Sequence, residues 1–434
     1  MVSRQTVCLR QLAGNRAREV KFGRWLANDK VTSDVLIAHA CARTGEVAAG
    51  RHVLAIQDTT ELNHQAHAGR VSGLGTVGNG SDVGMFLHPL LAVDAADGIC
   101  LGLAHLHYWN RTGKAAPDYR KLPIEDKESY RWLEVAEAGK KYLSAAVMVT
   151  IVADRESDIY EEWARLPDER THLLTRACRD RTLAAGGKLY AWLDAQPEQG
   201  VYSFDAPARP GKRSAHQARL AVRFGRTAIK RPASCSDKNA PEHIWLSVVE
   251  VKELPDSVVG NEAPIHWRLL TTHRVECLED ALRCVDWYRQ RWNIEQLFRT
   301  LKKQGLDVES SQVETGEGLA KLACLAVRAA VRTMQLTLAR DADNAARAAD
   351  VFDPEEIEVL QLILPTQEGK TEKQKNPHRP GSLAQAAWVI ARLGGWKGYA
   401  SEAKPGPITM LRGLQRVDAI CQGWKLATKD VCID

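Results

Sequence analysis

The run AAVMVTIVAD, Ala145 to Asp154, carries apolar residues from Val147 to Ala153 straight into an aspartate. Upstream, VLAIQD does the same, with Val53, Leu54 and Ile56 leading into Asp58. A short apolar segment rich in β-branched residues that stops on an acid reads as a buried strand whose end opens into a site. Strand ends facing a crevice are where open sheets collect catalytic groups. One such aspartate is ordinarily a turn or cap residue; two in matching contexts point to chemistry.

Working outward from these runs, strand signals cover 52–58, 85–94 and 99–109, the last two joined by a turn at Ala96-Asp97-Gly98. A helix near 126–138, the strand ending at Asp154, a helix near 157–165 and a strand at 171–177 follow. Three meandering strands, a helix and a fourth strand, with acids on the first and fourth, form a ribonuclease-H-like order. The expected fold is α/β: a ribonuclease-H-like mixed sheet with a β-rich insertion, plus helical N- and C-terminal regions. We place a basic helical DNA-binding region at 1–50, with helices up to Asn28 and from an N-cap at Ser33. The catalytic core spans 51–177 and resumes at 266–345. The insertion occupies 178–265, and a helical C-terminal region fills 346–434.

The third acid lies in YRQRWNIEQLFRTLK, Tyr288 to Lys302. On one helix over about 277–303, a rotation of about 100° per residue puts Tyr288, Arg291, Glu295 and Lys302 within an arc of roughly 60°. Ile294, Leu297, Phe298 and Leu301 form the adjoining apolar face. A stripe on that border sits at the rim of a core, where a carboxylate can hold a metal ion and flanking cations can grip phosphates. The plain alternative is a solvated face with an Arg291–Glu295 pair, worth a few tenths of a kcal/mol.

At this point the chain resembles the bacterial cut-and-paste DDE transposases of the insertion-sequence-four group, and closely the transposon-five type. That group's signature is Tyr, two residues, Arg, three residues, Glu, six residues, Lys, which Tyr288, Arg291, Glu295 and Lys302 match. Its first and second acids sit in segments like AIQDTTELNH and DRESDIY, here Asp58 and Asp154. The resemblance implies Asp58, Asp154 and Glu295 as catalytic and metal-binding residues. Oxygen-only ligands favour Mg²⁺ or Mn²⁺, and two such ions about 4 Å apart support in-line phosphoryl transfer. It also implies end nicking, a hairpin intermediate, strand transfer, a homodimer on double-stranded DNA, and a bacterial, nucleoid-associated setting. Arg291, Lys302 and Tyr288 would contact DNA phosphates. Trp267 matches the group's tryptophan that helps house a flipped base, its alternative being a core tryptophan at a strand end. Arg155 and Arg176 match basic positions near the second acid, while a lysine expected two residues after Arg176 is Cys178 here. Members usually have tens of residues before the segment resembling GNRAREVKFGRWLAND, whereas Met1 stands fourteen residues ahead of Asn15. Part of the end-recognition surface is therefore expected to be missing. This keeps open a truncated DNA-binding or dimerising regulator, and a stand-alone ribonuclease-H-like nuclease is the third alternative.

The net charge of +5 is mild, but its distribution is uneven. Between Arg176 and Arg231 twelve Lys or Arg face four acids, and residues 1–51 hold nine basic and four acidic residues. Such blocks suit a polyanion. The ten cysteines include no C-x-x-C pair, and the thirteen histidines no H-E-x-x-H, so neither a zinc ribbon nor that metalloprotease motif is indicated. Cys277 and Cys284 read as small core residues of a helix, and His105 with His107 as a pair on one sheet face. No stretch of 18 apolar residues and no signal-peptide core appear, the reading being a reduced, cytosolic protein. Further strands are expected at 202–204, 218–224, 244–251 and 266–272, and helices near 316–340, 383–393 and 407–424. The polar loop 366–381 is expected to bend or fray.

Overall fold

The computed structural model describes all residues except 2–3, 5, 79, 112–117, 120–121, 209–210, 212, 303–304, 341–345, 400–401 and 429–434. The chain opens with helices α1 (Leu9–Ala13), α2 (Arg16–Leu26) and α3 (Ser33–Ala48). Asn15 caps α2 and Thr32, not Ser33, caps α3 by accepting the Val35 N–H. Strands β1 (His52–Gln57), β2 (Thr60–Asn63), β3 (Gly75–Val77), β4 (Asp82–Asp94) and β5 (Cys100–Trp109) follow, then α4 (Arg131–Tyr142), β6 (Met148–Ala153), α5 (Tyr160–Arg165) and β7 (Thr171–Arg176). Gly98, at φ +74°, makes the β4–β5 turn, a conformation that costs glycine nothing.

Strands β1 and β6 lie parallel, as do β6 and β7; β4 runs antiparallel to β1 and β5 antiparallel to β4. The spatial order β5-β4-β1-β6-β7 is thus an antiparallel meander continued by two parallel strands. Residues after β7 form α6 (Leu189–Asp194), β8 (Gly200–Ala206), β9 (His216–Lys230), β10 (His243–Glu253) and β11 (His266–Thr271). These strands do not make a separate sheet. β11 pairs with β7, and β10, β9 and β8 add outward from it, giving one mixed sheet of eleven strands among the described residues.

The expected single helix over 277–303 is two: α7 (Leu278–Gln290) and α8 (Trp292–Leu301). Neither Pro nor Gly marks the break. At Arg291 the backbone tightens, with Arg291 N–H bonding to Tyr288 O and Ile294 N–H to Arg291 O, and this i−3 bonding changes the phase of everything beyond it. Ile294, Leu297 and Leu301 are fully buried. They seat α8 against α9 (Gly316–Ala339), a core helix that is long and apolar enough to cross a bilayer by length and composition, with 72% of that window buried inside the fold.

The C-terminal part comprises α10 (Pro354–Gln367), α11 (Leu383–Leu393) and α12 (Pro407–Thr428), packed around Phe352, Trp388 and Met410. The polar stretch after α10 is tied down rather than frayed. The Asn376 N–H donates to Glu368, the Asn376 side-chain amide to Gln385 O, and the Gly381 N–H to the Gln385 side chain. Polar side chains supply there the partners that an apolar face would not. Cys284 is buried as expected, but Cys277 is exposed at the start of α7.

Candidate active site

Parallel pairing puts Ile56 beside Val152, so Asp58 and Asp154 each stand two residues further along, at the same level on adjacent strand ends. Each turn is fixed by its own carboxylate: Asp58 accepts the Thr59 N–H at 2.8 Å and Asp154 the Glu156 N–H at 2.8 Å. Burial, then the charge of Asp154, pushes the Asp58 carboxyl up to about 7, against the pull of Arg291. Two half-buried acids on adjacent strand ends repel unless a cation lies by them or one holds a proton.

Arg291 supplies the cation. Its guanidinium donates to Asp58 at 3.0 Å and to Glu295 at 3.1 Å. Burial opposes its charge, yet Tyr288, Asp58 and Glu295 together raise it above the ordinary arginine range. Arg291 thus ties Glu295 of α8 to the strand-end Asp58, and its charge also acts on Asp154. Among the described residues no three His, Cys, Asp or Glu side chains stand together closely enough to hold an ion, because the guanidinium lies between Asp58 and Glu295. The donor set is nonetheless oxygen-only and anionic, which fits a hard divalent ion once Arg291 withdraws.

Beside these groups opens a cleft of about 1210 Å³. Asp154, Arg155, Arg176, Trp267, Tyr288, Arg291 and Glu295 all line it. Trp267 stands edge-on to Tyr288, with ring centres 5.6 Å apart, and Phe204 lies 6.3 Å beyond. Tyr288 is 6% exposed, so it forms the cleft floor rather than a free surface donor, and burial raises its hydroxyl pKa. Arg176 is anchored to His266 O. Lys302 stands apart: it pairs with Glu309 at 3.6 Å and does not line the cleft. The projected stripe assumed a helix running on through Lys302, but α8 ends at Leu301 and Lys302 is its extended C-cap.

The cleft also has walls that the sequence reading did not single out. Arg289 lies over Phe204 at 4.5 Å and Arg268 over Tyr190 at 4.0 Å. Their signal would have been arginines facing aromatics between helix and strand, visible only once the packing is known. The loop after β7 is held by Asp158, which accepts the Cys178 and Arg179 N–H groups and pairs with buried Arg181. Several cations of the 176–231 block already have acidic partners within the chain: buried Arg181 with Asp158, exposed Arg219 with Asp256, and Arg223 with Glu198 and Glu250. Counting charges along the sequence overstated what that block offers to a polyanion. Arg209 and Lys212 lie outside the described residues.

Comparison with known proteins bears on the same stretch. The chain is similar to a solved cryo-EM structure of a piggyBac transposase synaptic complex with hairpin DNA, at 12% identity and a TM-score of 0.33, over 69% of this chain and 55% of that one. Residues 149–332 match the family model described as "Transposase DDE domain". The matched stretch contains Asp154 and Glu295 and begins after Asp58. The match runs from β6 into α9 and covers less than half of the chain.

Proposed function

We propose that the chain is a cut-and-paste DNA transposase of the insertion-sequence-four, transposon-five type, built on a ribonuclease-H-like core. The observation that carries this reading is the level placement of Asp58 and Asp154 on adjacent parallel strand ends, with Glu295 tied to Asp58 through Arg291, beside an arginine-lined cleft. The strand order β5-β4-β1-β6-β7 supports the fold part of the reading.

In this reading Asp58, Asp154 and Glu295 hold Mg²⁺ or Mn²⁺. When bound, the metal supplies activation of the attacking oxygen and charge neutralisation at the scissile phosphate. The chain's own residues do the rest. Arg155 and Arg176 hold backbone phosphates along the cleft, and Arg291 exchanges its carboxylate partners for a DNA phosphate. Trp267 offers an aromatic face to a base displaced from the stack. Water attack frees a 3′-hydroxyl, which closes a hairpin, is released again and then joins target DNA. The working form is a homodimer on double-stranded DNA, and the setting a bacterial cytoplasm at the nucleoid.

The test is strand transfer of pre-nicked DNA bearing the repeats that flank the gene, with Mg²⁺ present. Asp58→Ala and Glu295→Ala should each lose activity while still binding DNA in EDTA. Variants that strand-transfer as well as the parent would overturn the site assignment. Degradation of DNA lacking element ends would favour a stand-alone nuclease instead.

A further inference from the structure

Beneath the two aspartates runs a buried chain of polar groups to which the site residues contribute nothing. Gln57, His88, Ser157 and Glu162 are each 0% exposed. Burying that much polar surface is unfavourable unless every group is paired, and the pairing here is directional. Arg131 Nε donates to Thr59 Oγ1 at 2.9 Å, leaving the threonine hydrogen for His88 Nδ1 at 2.8 Å. His88 Nε2 then carries the ring proton and donates to Gln57 Oε1 at 3.2 Å. The Gln57 amide nitrogen donates to Glu162 Oε1 at 3.3 Å, and Glu162 Oε2 meets Ser157 Oγ at 2.6 Å. Burial holds His88 well below its usual range and pushes Glu162 up to about 8. Burial thus favours the neutral form of both near pH 7.

The endpoints give the chain its meaning. Gln57 and Thr59 flank Asp58, while Glu156 and Ser157 belong to the turn that begins at Asp154. Gln57 reaches that turn from inside through Glu162 and Ser157. Thr59 reaches it from outside through Arg131, whose Nη2 donates to Glu156 at 2.8 Å. His88 joins the two routes, with Trp132 packed edge-on against its ring at 4.6 Å.

We propose that Gln57, His88, Glu162 and Arg131 are positioning residues, a two-sided brace that sets the spacing between the Asp58 and Asp154 carboxylates before a divalent ion arrives. The inference rests on the metal-site reading above. Two like charges on adjacent strand ends move apart unless their turns are held, and the brace holds both turns without touching either carboxylate. Partners at one remove from metal ligands commonly change metal affinity by about 10- to 100-fold when lost.

The experiment uses the full chain with its DNA. It reads the Mn²⁺ concentration giving half-maximal cleavage, and Mn²⁺ bound to the protein–DNA complex by paramagnetic resonance, with Asp58→Ala as background. DNA affinity in EDTA and thermal stability are measured alongside. Gln57→Leu cuts the inner route and Arg131→Met the outer one. Each should raise the half-saturating Mn²⁺ concentration about tenfold or more, with DNA affinity in EDTA unchanged. Glu162→Gln keeps an acceptor for Gln57 and a donor for Ser157, so it should stay within about twofold of the parent, whereas Glu162→Leu should behave like Gln57→Leu. Should the buried leucine variants fail to fold, Arg131→Met at the partly exposed end and Glu162→Gln carry the test. A folded Arg131→Met or Gln57→Leu with the parent's Mn²⁺ requirement overturns the brace. If Asp58→Ala itself binds Mn²⁺ and cleaves like the parent, the metal-site reading fails instead.

Discussion

Replacing Asp58 by Asn is expected to stabilise the metal-free chain while abolishing its DNA chemistry. Burial and Asp154 raise the Asp58 carboxyl from 3.8 to about 7 in the folded protein. A raised acid keeps its proton longer folded than unfolded. Its contribution to stability is thus fully present below about pH 4, where both states are protonated. It is lost progressively as pH rises through the folded value and is constant beyond it. A gap of about 3 units at about 1.36 kcal/mol each sets an upper value of roughly 4 kcal/mol. The side chain is 20% exposed, so solvent trims this to a few kcal/mol. Asn does not titrate, and Arg291 keeps Glu295 as partner.

Denaturant midpoints in EDTA at pH 4, 6 and 8 test this. Asp58→Asn should match the parent at pH 4 and pull ahead as pH rises, reaching about 2–4 kcal/mol at pH 8. Added Mg²⁺ should close the gap by stabilising only the parent. A variant no more stable than the parent at pH 8, or a gap that does not widen with pH, would refute the argument that Asp58 is held in place against its own charge.

Other perturbations probe the neighbouring groups. Arg291→Gln removes the cation shared by Asp58 and Glu295, so Mn²⁺ binding to the DNA-free chain should tighten while affinity for element ends falls; calorimetry and gel shift read the two separately. Lys302→Ala should change cleavage by less than about threefold, because its ammonium pairs with Glu309 away from the cleft and partly exposed pairs contribute about 0–1 kcal/mol. Trp267→Ala should weaken hairpin formation by about 1–3 kcal/mol, the usual value of one base–aromatic stack, with 2-aminopurine fluorescence at the end base as readout. Arg181→Met leaves Asp158 buried without its partner and should cost about 3–5 kcal/mol in denaturant unfolding.

Local pattern made the central sheet legible. The apolar runs into Asp58 and Asp154 mark β1 and β6, and Gly98 marks the turn between β4 and β5, because those signals are carried by residues adjacent in sequence. What escaped depends on partners far away. Residues 178–265 show short alternating segments whatever they pair with, so their addition to the main sheet through β11 could not be read from them. Helix α10 was missed because Val359 and Leu362 blur the stripe that Ile357, Leu360, Ile363 and Leu364 make, and Pro365 looks like a stop signal. The break at Arg291 has no breaker residue at all.

That break also explains why the motif reads so strongly and yet its geometry was misjudged. Spacing along a helix places side chains only while the backbone keeps one phase, and an arginine held by carboxylates from a strand end and from its own next turn is a reason for the phase to change. Arg291 links a residue of β1's end to one of α8 across more than two hundred positions of sequence. The same contact offsets part of the carboxylate charge in the metal-free arrangement, with an internal cation where the proposed chemistry needs a divalent one. If the proposed function holds, a phosphate entering the cleft would compete for that guanidinium, and the carboxylates it releases would become free to bind metal as DNA arrives. Coupling of this kind would confine hydrolysis to the DNA-bound state. It requires that Arg291 change partners between the two states.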